Sequence, residues 1–411
     1  MAPTRRQILQ ALGLTGVSVG GTGILAYLLG YLSPKDLMTL NWADVRRNVP
    51  AFRCVFGCSE VQLLEDSDAY RNLNPEKNPA NPILNSTSVS NVQAYPSSVI
   101  QVDGTYYATV GSWPQTVGFK SPNGTEWQEV NQDLIPRGEP DSFDTYKRTA
   151  QVFRYTPDSS KYHILYKGID DNGSHRYGHA YSDQPLQGYT KSENNPILSS
   201  DVETEFQEVS GIHRLFISDF IIDDGEPIYF GVGTEAETGI NFIWMGTGQL
   251  GVQVTPETIL FTENDDELRV RSDPDPVEQP NVGSCSIIKI NNIYVMAYSA
   301  LANIKHYEHA AAQGKIYLAV GDSPGNIAPT NDLVLDTGDC NTWEELRVYQ
   351  PRWLKRQDGL YTDPDLVDGK INLHYSGHDC GASKFFGNRG VTGVAEYPLS
   401  KLVEFVEQVS E

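Results

Sequence analysis

The stretch Ser97-Ser98-Val99-Ile100-Gln101-Val102-Asp103-Gly104-Thr105-Tyr106-Tyr107-Ala108 places two apolar, strand-like runs on either side of an Asp-Gly pair. Asp-Gly between two such runs predicts a β-hairpin, because both residues of the tight turn need positive φ angles. The pattern recurs four times, with turns that begin at Asp158, Asp224, Asn291 and Asp368. Successive turns are 55 to 77 residues apart. This spacing leaves room for a four-stranded unit in each repeat.

Each hairpin is followed by a short run of small and apolar residues, and then by a marker of a fourth, outer strand. The clearest marker is Asn195-Pro196-Ile197-Leu198 in the second repeat, and the same four residues occur at positions 81–84, before the first hairpin. The sequence therefore predicts an all-β fold, a five-bladed β-propeller of four-stranded antiparallel blades. Residues 81–84 are expected to supply an N-terminal strand that closes the ring, within a propeller domain over residues 81–411.

The first thirty-two residues have the composition of an export segment. Thr4-Arg5-Arg6-Gln7-Ile8-Leu9-Gln10 resembles a twin-arginine motif, and positions 11–32 contain no charged residue. Such a segment is either a signal or, being long enough to cross a bilayer, a membrane anchor. Residues 33–80 then form an irregular leader. These features predict an extracellular or cell-surface protein that meets the membrane only through residues 1–32.

Charge and cysteine content exclude several classes of binding partner. The 411-residue chain has 53 acidic and 31 basic residues, a net charge of −22. An excess of this size repels nucleic acid and anionic lipid, so neither is an expected partner. Solubility is the simpler explanation of this acidic excess, and a host that lives at high salt is the alternative. The five cysteines show neither a zinc-binding spacing nor a disulfide framework.

Several segments resemble sequences of a known superfamily. They are YPSSVIQVDGTYYATVG from Tyr95, HAYSD from His179, ENNPIL from Glu193 and TDPDLVDGKINLHYSG from Thr362. Over roughly residues 80–405 the chain resembles the five-bladed propellers that include family 43 arabinanases and xylosidases, levansucrases and invertases. The resemblance implies an active site in a funnel at one end of the axis. It also implies hydrolysis of glycosidic bonds by three carboxylates, which serve as base or nucleophile, general acid and pKa modulator.

Acidic residues near the predicted starts of inner strands are the catalytic candidates: Asp219, Asp363, Asp144 and Glu278. Glycoside hydrolysis needs one acid to protonate the leaving oxygen and a second carboxylate on the other face of the sugar. Asp219 and Asp363 each lie five residues before a turn aspartate, and Asp363 is followed by Pro364. Where the family has an Asp-Pro pair in the first blade, this chain has Tyr95-Pro96. That departure leaves open a different use of the acids or an inactive relative.

Aromatic and basic residues at the same strand starts and loops could bind sugar: Tyr95, Trp113, Arg148, His213, Arg352, Trp353 and His378. Aromatic rings can stack on sugar faces, and Arg and His can donate hydrogen bonds to hydroxyls. Packing between blades is the competing explanation for each Trp. No cofactor or metal ligand set is required. A structural calcium ion could be held near His378-Asp379, as the resemblance implies, or in the acidic loop at residues 265–276.

Two functions follow from these observations. The first is a secreted or surface-anchored glycoside hydrolase that cleaves an oligosaccharide or polysaccharide with paired carboxylates. The alternative is a non-catalytic surface propeller that binds glycan or protein, and a lyase or transferase on the same scaffold is a third reading. Carboxylates that converge on the axis would favour the hydrolase, whereas a funnel lined by aromatic and amide groups would favour binding.

Overall fold

The computed structural model describes residues 73, 75–84, 95–111, 115–171, 173–199, 212–235, 240–262, 280–302, 314–336, 343–344, 347–378 and 391–409. A two-residue strand, β1 (Glu76–Lys77), precedes the first blade. Blade one consists of β2 (Tyr95–Val102), β3 (Thr105–Gly111), β4 (Thr116–Ser121) and β5 (Gln128–Asn131). Blade two consists of β6 (Lys147–Thr156), β7 (Lys161–Ile169) and β8 (His175–Ser182), with β9 (Thr190–Lys191) and β10 (Leu198–Ser199) at its outer edge.

Blades three and four are regular four-stranded sheets. Blade three is β11 (Ile212–Asp223), β12 (Glu226–Glu235), β13 (Asn241–Gln249) and β14 (Gln253–Thr262). Blade four is β15 (Pro280–Ile290), β16 (Ile293–Ala302), β17 (Gly314–Gly321) and β18 (Ile327–Leu335). Blade five is built from β19 (Arg347–Trp353), β20 (Leu366–Val367), β21 (Lys370–His378) and β22 (Val391–Pro398), and helix α1 (Leu399–Val409) follows it.

The predicted all-β five-bladed propeller is confirmed. Each sheet is an antiparallel meander from the axis outwards, and contacts between the inner strands run from β2 to β6, β11, β15 and β19 and back to β2. The tight turns form where the sequence predicts them. Asp103, Asp224, Asn291 and Asp368 all have φ between 49° and 53°, and the residue after each also has a positive φ. Side chains between adjacent blades form the core, because both faces of each sheet are covered.

Residues 76–84 run along the outer edge of blade five. β1 pairs antiparallel with β22, with Glu76 opposite Glu396, and the backbone N–H of Ile83 donates to the Thr392 carbonyl at 2.9 Å. The N-terminal segment thus lies where the predicted closing strand would lie, and the closure of the ring by this segment stays a prediction. In the part of the chain that the structure describes, no helix is long and apolar enough to cross a membrane; residues 1–32 lie outside that part.

Blade five differs from the prediction in one respect. The hairpin of β20 and β21 forms around Asp368, but the inner strand that pairs with most of β21 is β19, with Arg352 opposite His374. Residues 354–365 are inserted between β19 and β20, and we call them the axial cap. The position equivalent to Asp219 in blade five is therefore Arg352, because each is the first paired residue after the bulge of its inner strand.

Candidate functional site

The axial cap covers the end of the propeller axis at which the inner strands finish. Its carbonyl groups accept hydrogen bonds from two other blades, at Leu360 from the N–H of Ile222 (2.7 Å) and at Thr362 from the N–H of Lys289 (2.8 Å). Both donors belong to residues that lie just before a tight turn. The cap therefore joins strand ends that would otherwise expose unpaired amides. Among the described residues the cap makes no contact at the opposite end, where the inner strands start, and we call that end the open end.

A second cap contact reaches blade two. The Gln357 side-chain oxygen accepts the N–H of Tyr155 at 2.9 Å, and the Tyr361 hydroxyl lies 2.5 Å from the Thr156 hydroxyl. Tyr361 is 1% exposed. One loop from blade five thus contacts blades two, three and four at the same end of the axis.

Asp219 lies at the centre of the axis and is 0% exposed. Its carboxylate oxygens accept hydrogen bonds from five groups in four blades or their connections. These donors are the Lys355 ammonium (2.7 Å), the Ser286 hydroxyl (2.8 Å), the Ile287 N–H (3.0 Å), the N–H of the next residue, Phe220 (2.9 Å), and the Arg154 guanidinium. A carboxylate with this many donors is fully satisfied as an anion.

The bond from Ile287 to Asp219 is one of three similar contacts between inner strands. Ser98 in blade one accepts the N–H of Phe153 in blade two (3.2 Å), and Ser286 in blade four accepts the N–H of Trp353 in blade five (3.1 Å). In every case a polar side chain of one blade accepts a backbone amide of the next. The Asp219 carboxylate therefore belongs to the set of contacts that joins neighbouring blades.

The charges at this point shift one another's protonation. Burial by itself would raise the pKa of Asp219, but the cations of Lys355 and Arg154 outweigh it and lower that pKa to about 2. Burial lowers the pKa of Lys355 to about 7, against the opposing influence of Asp219. Asp219 is consequently ionised at neutral pH and enclosed. These contacts favour a structural role for it, and its predicted catalytic role stays a prediction.

Asp144 is also buried, at 1% exposure, in the loop that leads into β6. Its oxygens contact the Lys191 ammonium (2.6 Å), the Tyr166 hydroxyl (2.9 Å) and the Ser142 hydroxyl (3.0 Å). The carboxylate fixes this loop against β7 and β9 of blade two. As with Asp219, the contacts favour a structural role over a catalytic one.

Asp363 has a different environment. Its side chain is 50% exposed and lies 3.2 Å from the Arg356 guanidinium, within the axial cap. It therefore sits at the capped end of the axis, and the structure does not bring it together with Asp219 through any described contact. Glu278 lies outside the described residues, two positions before the first residue of β15.

The predicted sugar-binding residues divide into two groups. Tyr95 and His213 are at the start of β2 and β11, and His378 ends β21 opposite Arg347, so their backbones lie at the open end of the axis. Trp113 lies outside the described residues.

The other three predicted sugar-binding residues are buried in contacts within the protein. Arg148 binds Asp133 (3.0 Å), and the Trp353 ring meets Tyr397 edge-on. Arg352 donates to the carbonyls of Cys285 (3.1 Å) and Pro351 (2.9 Å).

Bulges in the inner strands are a feature that the sequence reasoning missed. Every inner strand has one shortly before the position equivalent to Asp219. The bulged residues are Ser97, Gln151, Ser218, the pair Gly283 and Ser284, and the pair Gln350 and Pro351. Bulges often re-aim side chains beside active sites. Five of these seven residues have a hydroxyl or amide side chain, and none has a carboxylate. Local sequence does not mark these bulges, because the strand continues on both sides and no turn residues are needed.

Within the described ranges no group of three or more His, Cys, Asp or Glu side chains could hold a metal ion. Asp379 and the acidic loop at residues 265–276 lie outside those ranges, and only the backbone of His378 is described. A structural calcium ion at either place stays a prediction.

Solved structures share this architecture, although no protein-family model and no curated protein sequence matches the chain. A thermostable family-43 glycoside hydrolase is 16% identical with a TM-score of 0.54, covering 73% of this chain and 88% of its own. The catalytic domain of a GH62 α-L-arabinofuranosidase from Coprinopsis cinerea is 11% identical with a TM-score of 0.53, covering 79% and 97%. An endo-1,4-β-xylanase from Bacteroides thetaiotaomicron is 17% identical with a TM-score of 0.50, covering 75% and 95%. At these identities the likeness shows the fold, and the chain is a five-bladed β-propeller of the architecture found in these glycoside hydrolases.

Proposed function

We propose that this chain is a secreted or surface-anchored glycoside hydrolase that cleaves an oligosaccharide or polysaccharide at the open end of its axis. The observation that carries the proposal is a five-bladed ring, shared with glycoside hydrolases, in which the axial cap covers one end. The opposite end, where the inner strands start, is where we place the carbohydrate site. The twin-arginine motif and the net charge of −22 support export and a carbohydrate partner rather than a nucleic acid.

The chemistry needs two carboxylates on opposite sides of a glycosidic bond. Asp219 contacts two buried or nearly buried cations, Asp144 contacts Lys191, and Asp363 lies on the axial cap. We therefore assign the greatest weight to Glu278, which lies two positions before β15 in the sequence. Tyr95, His213 and His378 are proposed to contact the sugar, because their strands begin or end there.

A second function is favoured by a specific observation. Five of the seven bulged residues of the inner strands have hydroxyl or amide side chains, which suit recognition of neutral sugar hydroxyls without bond cleavage. A non-catalytic surface propeller that binds glycan would present such groups. A hydrolase cleaves its substrate and a binding propeller does not, so one experiment distinguishes the two functions.

The test is hydrolysis of a panel of aryl glycosides and of plant and microbial polysaccharides. Wild type is compared with Glu278→Gln and with the matched control Glu257→Gln, which changes a carboxylate on β14 whose side chain contacts Thr247. We expect turnover in wild type and in the control, and a loss of at least about 100-fold in Glu278→Gln, the usual contribution of a general acid or base. Absence of turnover in folded wild type, together with retention on a polysaccharide in affinity electrophoresis, would establish the binding function instead.

A further inference from the structure

Among the described residues, the buried cluster around Asp219 contains two cations and one carboxylate. Arg154 and Lys355 are exposed by 2% and 0%, and both contact the Asp219 carboxylate. Isolated charges are expensive to bury, so a cluster of this composition is more stable when an additional anion compensates the excess.

Hydrogen-bond donors in the same cluster are left over. The Nη1 atom of Arg154 donates to the Ser98 hydroxyl (3.1 Å) and the Phe153 carbonyl (2.8 Å), and its Nη2 atom donates to Asp219. The Nε atom of Arg154 is buried and has no acceptor within the described part of the chain. The Lys355 ammonium, which carries three donors, contacts one acceptor there, at 2.7 Å on Asp219.

We propose that Arg154 and Lys355 hold a small monovalent anion of the halide class, chloride under ordinary conditions, at the centre of the axis. The sign of the ligand follows from the excess of cations, which would repel a metal ion. Its size follows from burial: a carboxylate on a sugar chain cannot reach side chains that are 0–2% exposed, whereas a single ion can be enclosed when the blades assemble. The site is distinct from the open end at which carbohydrate is proposed to bind.

The protonation of Lys355 makes the proposed binding dependent on pH. Burial lowers the pKa of Lys355 to about 7. A bound anion favours the charged ammonium, so chloride should bind more tightly below that pKa than above it, and should itself raise the pKa. The expected signature is a chloride-dependent stability that is larger near about pH 6 than near about pH 8.5.

The experiment measures the thermal midpoint of the full-length protein while sodium chloride replaces sodium gluconate at constant ionic strength. Once chloride exceeds its dissociation constant, each tenfold increase should raise the midpoint by about 2 °C at the lower pH. Lys355→Met should abolish this response. Lys289→Met should retain it, because Lys289 is a partly exposed lysine that pairs with Asp223 away from the cluster.

Crystals of protein that was refolded and crystallised in sodium bromide give a direct result that needs no variant. An anomalous peak beside Arg154 and Lys355 is expected. Equal thermal midpoints in chloride and gluconate, together with no bromide peak at the axis, would overturn the proposal. If Lys355→Met does not fold, the bromide peak in wild type still decides the outcome.

Discussion

Asp219 shows how one carboxylate can connect distant parts of this chain. Its two cationic partners are 65 and 136 residues away in sequence, on β6 and in the axial cap. A fourth blade contacts it through Ser286 and the N–H of Ile287. The pairing neutralises part of the buried positive charge, so the carboxylate is needed as a charge and not only as an acceptor.

Asp219→Asn should therefore destabilise the fold strongly. The amide keeps the size of the side chain but leaves Arg154 and Lys355 buried without their counter-charge, a change that typically costs about 3–5 kcal/mol. The free energy of unfolding is measured by denaturant titration. Asp223→Asn is the control, since Asp223 pairs with the partly exposed Lys289, and its loss should cost about 1 kcal/mol or less. An Asp219→Asn protein with near-normal stability but no turnover would assign Asp219 to catalysis after all.

Two histidines on adjacent strands of blade two form a second buried polar contact. Nδ1 of His163 and Nε2 of His179 are 3.0 Å apart, and the ring planes differ by 17°. Two imidazoles at this distance share one proton. Burial lowers the pKa of His163 to about 4 and that of His179 to about 3, and the positive charge of Lys161 adds to the effect on His163.

This pair should make the protein sensitive to acid. Both folded-state pKa values lie below the ordinary value of 6.5, so between about pH 6.5 and pH 4 the unfolded chain binds more protons than the folded one. The contribution to stability is complete above about pH 6.5 and is lost as the pH falls through that window. The free energy of unfolding is measured by denaturant titration at several pH values. In this window it should depend less steeply on pH in a His163→Gln variant than in wild type. An unchanged slope would show that the pair does not titrate there.

At the scale of elements, the axial cap is the part that most distinguishes blade five. Tyr361 anchors it, because its ring meets Phe220 edge-on with centroids 5.4 Å apart and lies under the Arg154 guanidinium at 5.9 Å. Its hydroxyl contacts Thr156. The cap is thus held by packing, by an aromatic contact and by hydrogen bonds from three blades.

Tyr361→Ala should detach this element. Removal of a buried aromatic side chain typically costs about 3–5 kcal/mol. The amides of Ile222 and Lys289, which donate to the cap, should then exchange faster with solvent. Hydrogen exchange by mass spectrometry measures this, and Tyr146→Ala is the control because Tyr146 is 47% exposed. Unchanged protection of both amides in Tyr361→Ala would show that the cap does not depend on this anchor.

The elements also show what the sequence could predict. Asp-Gly and Asn-Asn pairs determine their turns locally, so Asp103, Asp224, Asn291 and Asp368 were located correctly. The inner strand of blade five was predicted wrongly. Asp363 and Asp368 have the same spacing as Asp219 and Asp224, but Asp363 belongs to the inserted axial cap and not to the inner strand. Burial could not be predicted either. A carboxylate near a strand start has the same local sequence whether its partners are water or cations that arrive from other blades.

At the scale of the whole molecule, the net charge of −22 is the dominant property. Described ion pairs such as those of Lys161 with Asp183 and Lys370 with Glu76 lie at the surface, where each contributes little. Repulsion between the remaining carboxylates opposes the folded state, and added salt screens it over distances of about 10 Å. Such a surface suits a protein that works at high ionic strength.

The thermal midpoint should therefore rise with ionic strength in sodium gluconate, a salt that contains no halide. From dilute buffer to molar salt we expect an increase of about 5 °C or more, which corresponds to ~4 kcal/mol for a chain of this length. Lys355→Met is the informative control, because it should keep this response while losing the one that is specific for chloride. If the midpoint in dilute buffer already equals that in concentrated gluconate, repulsion between surface carboxylates does not limit stability, and the acidic surface has no connection with a saline environment.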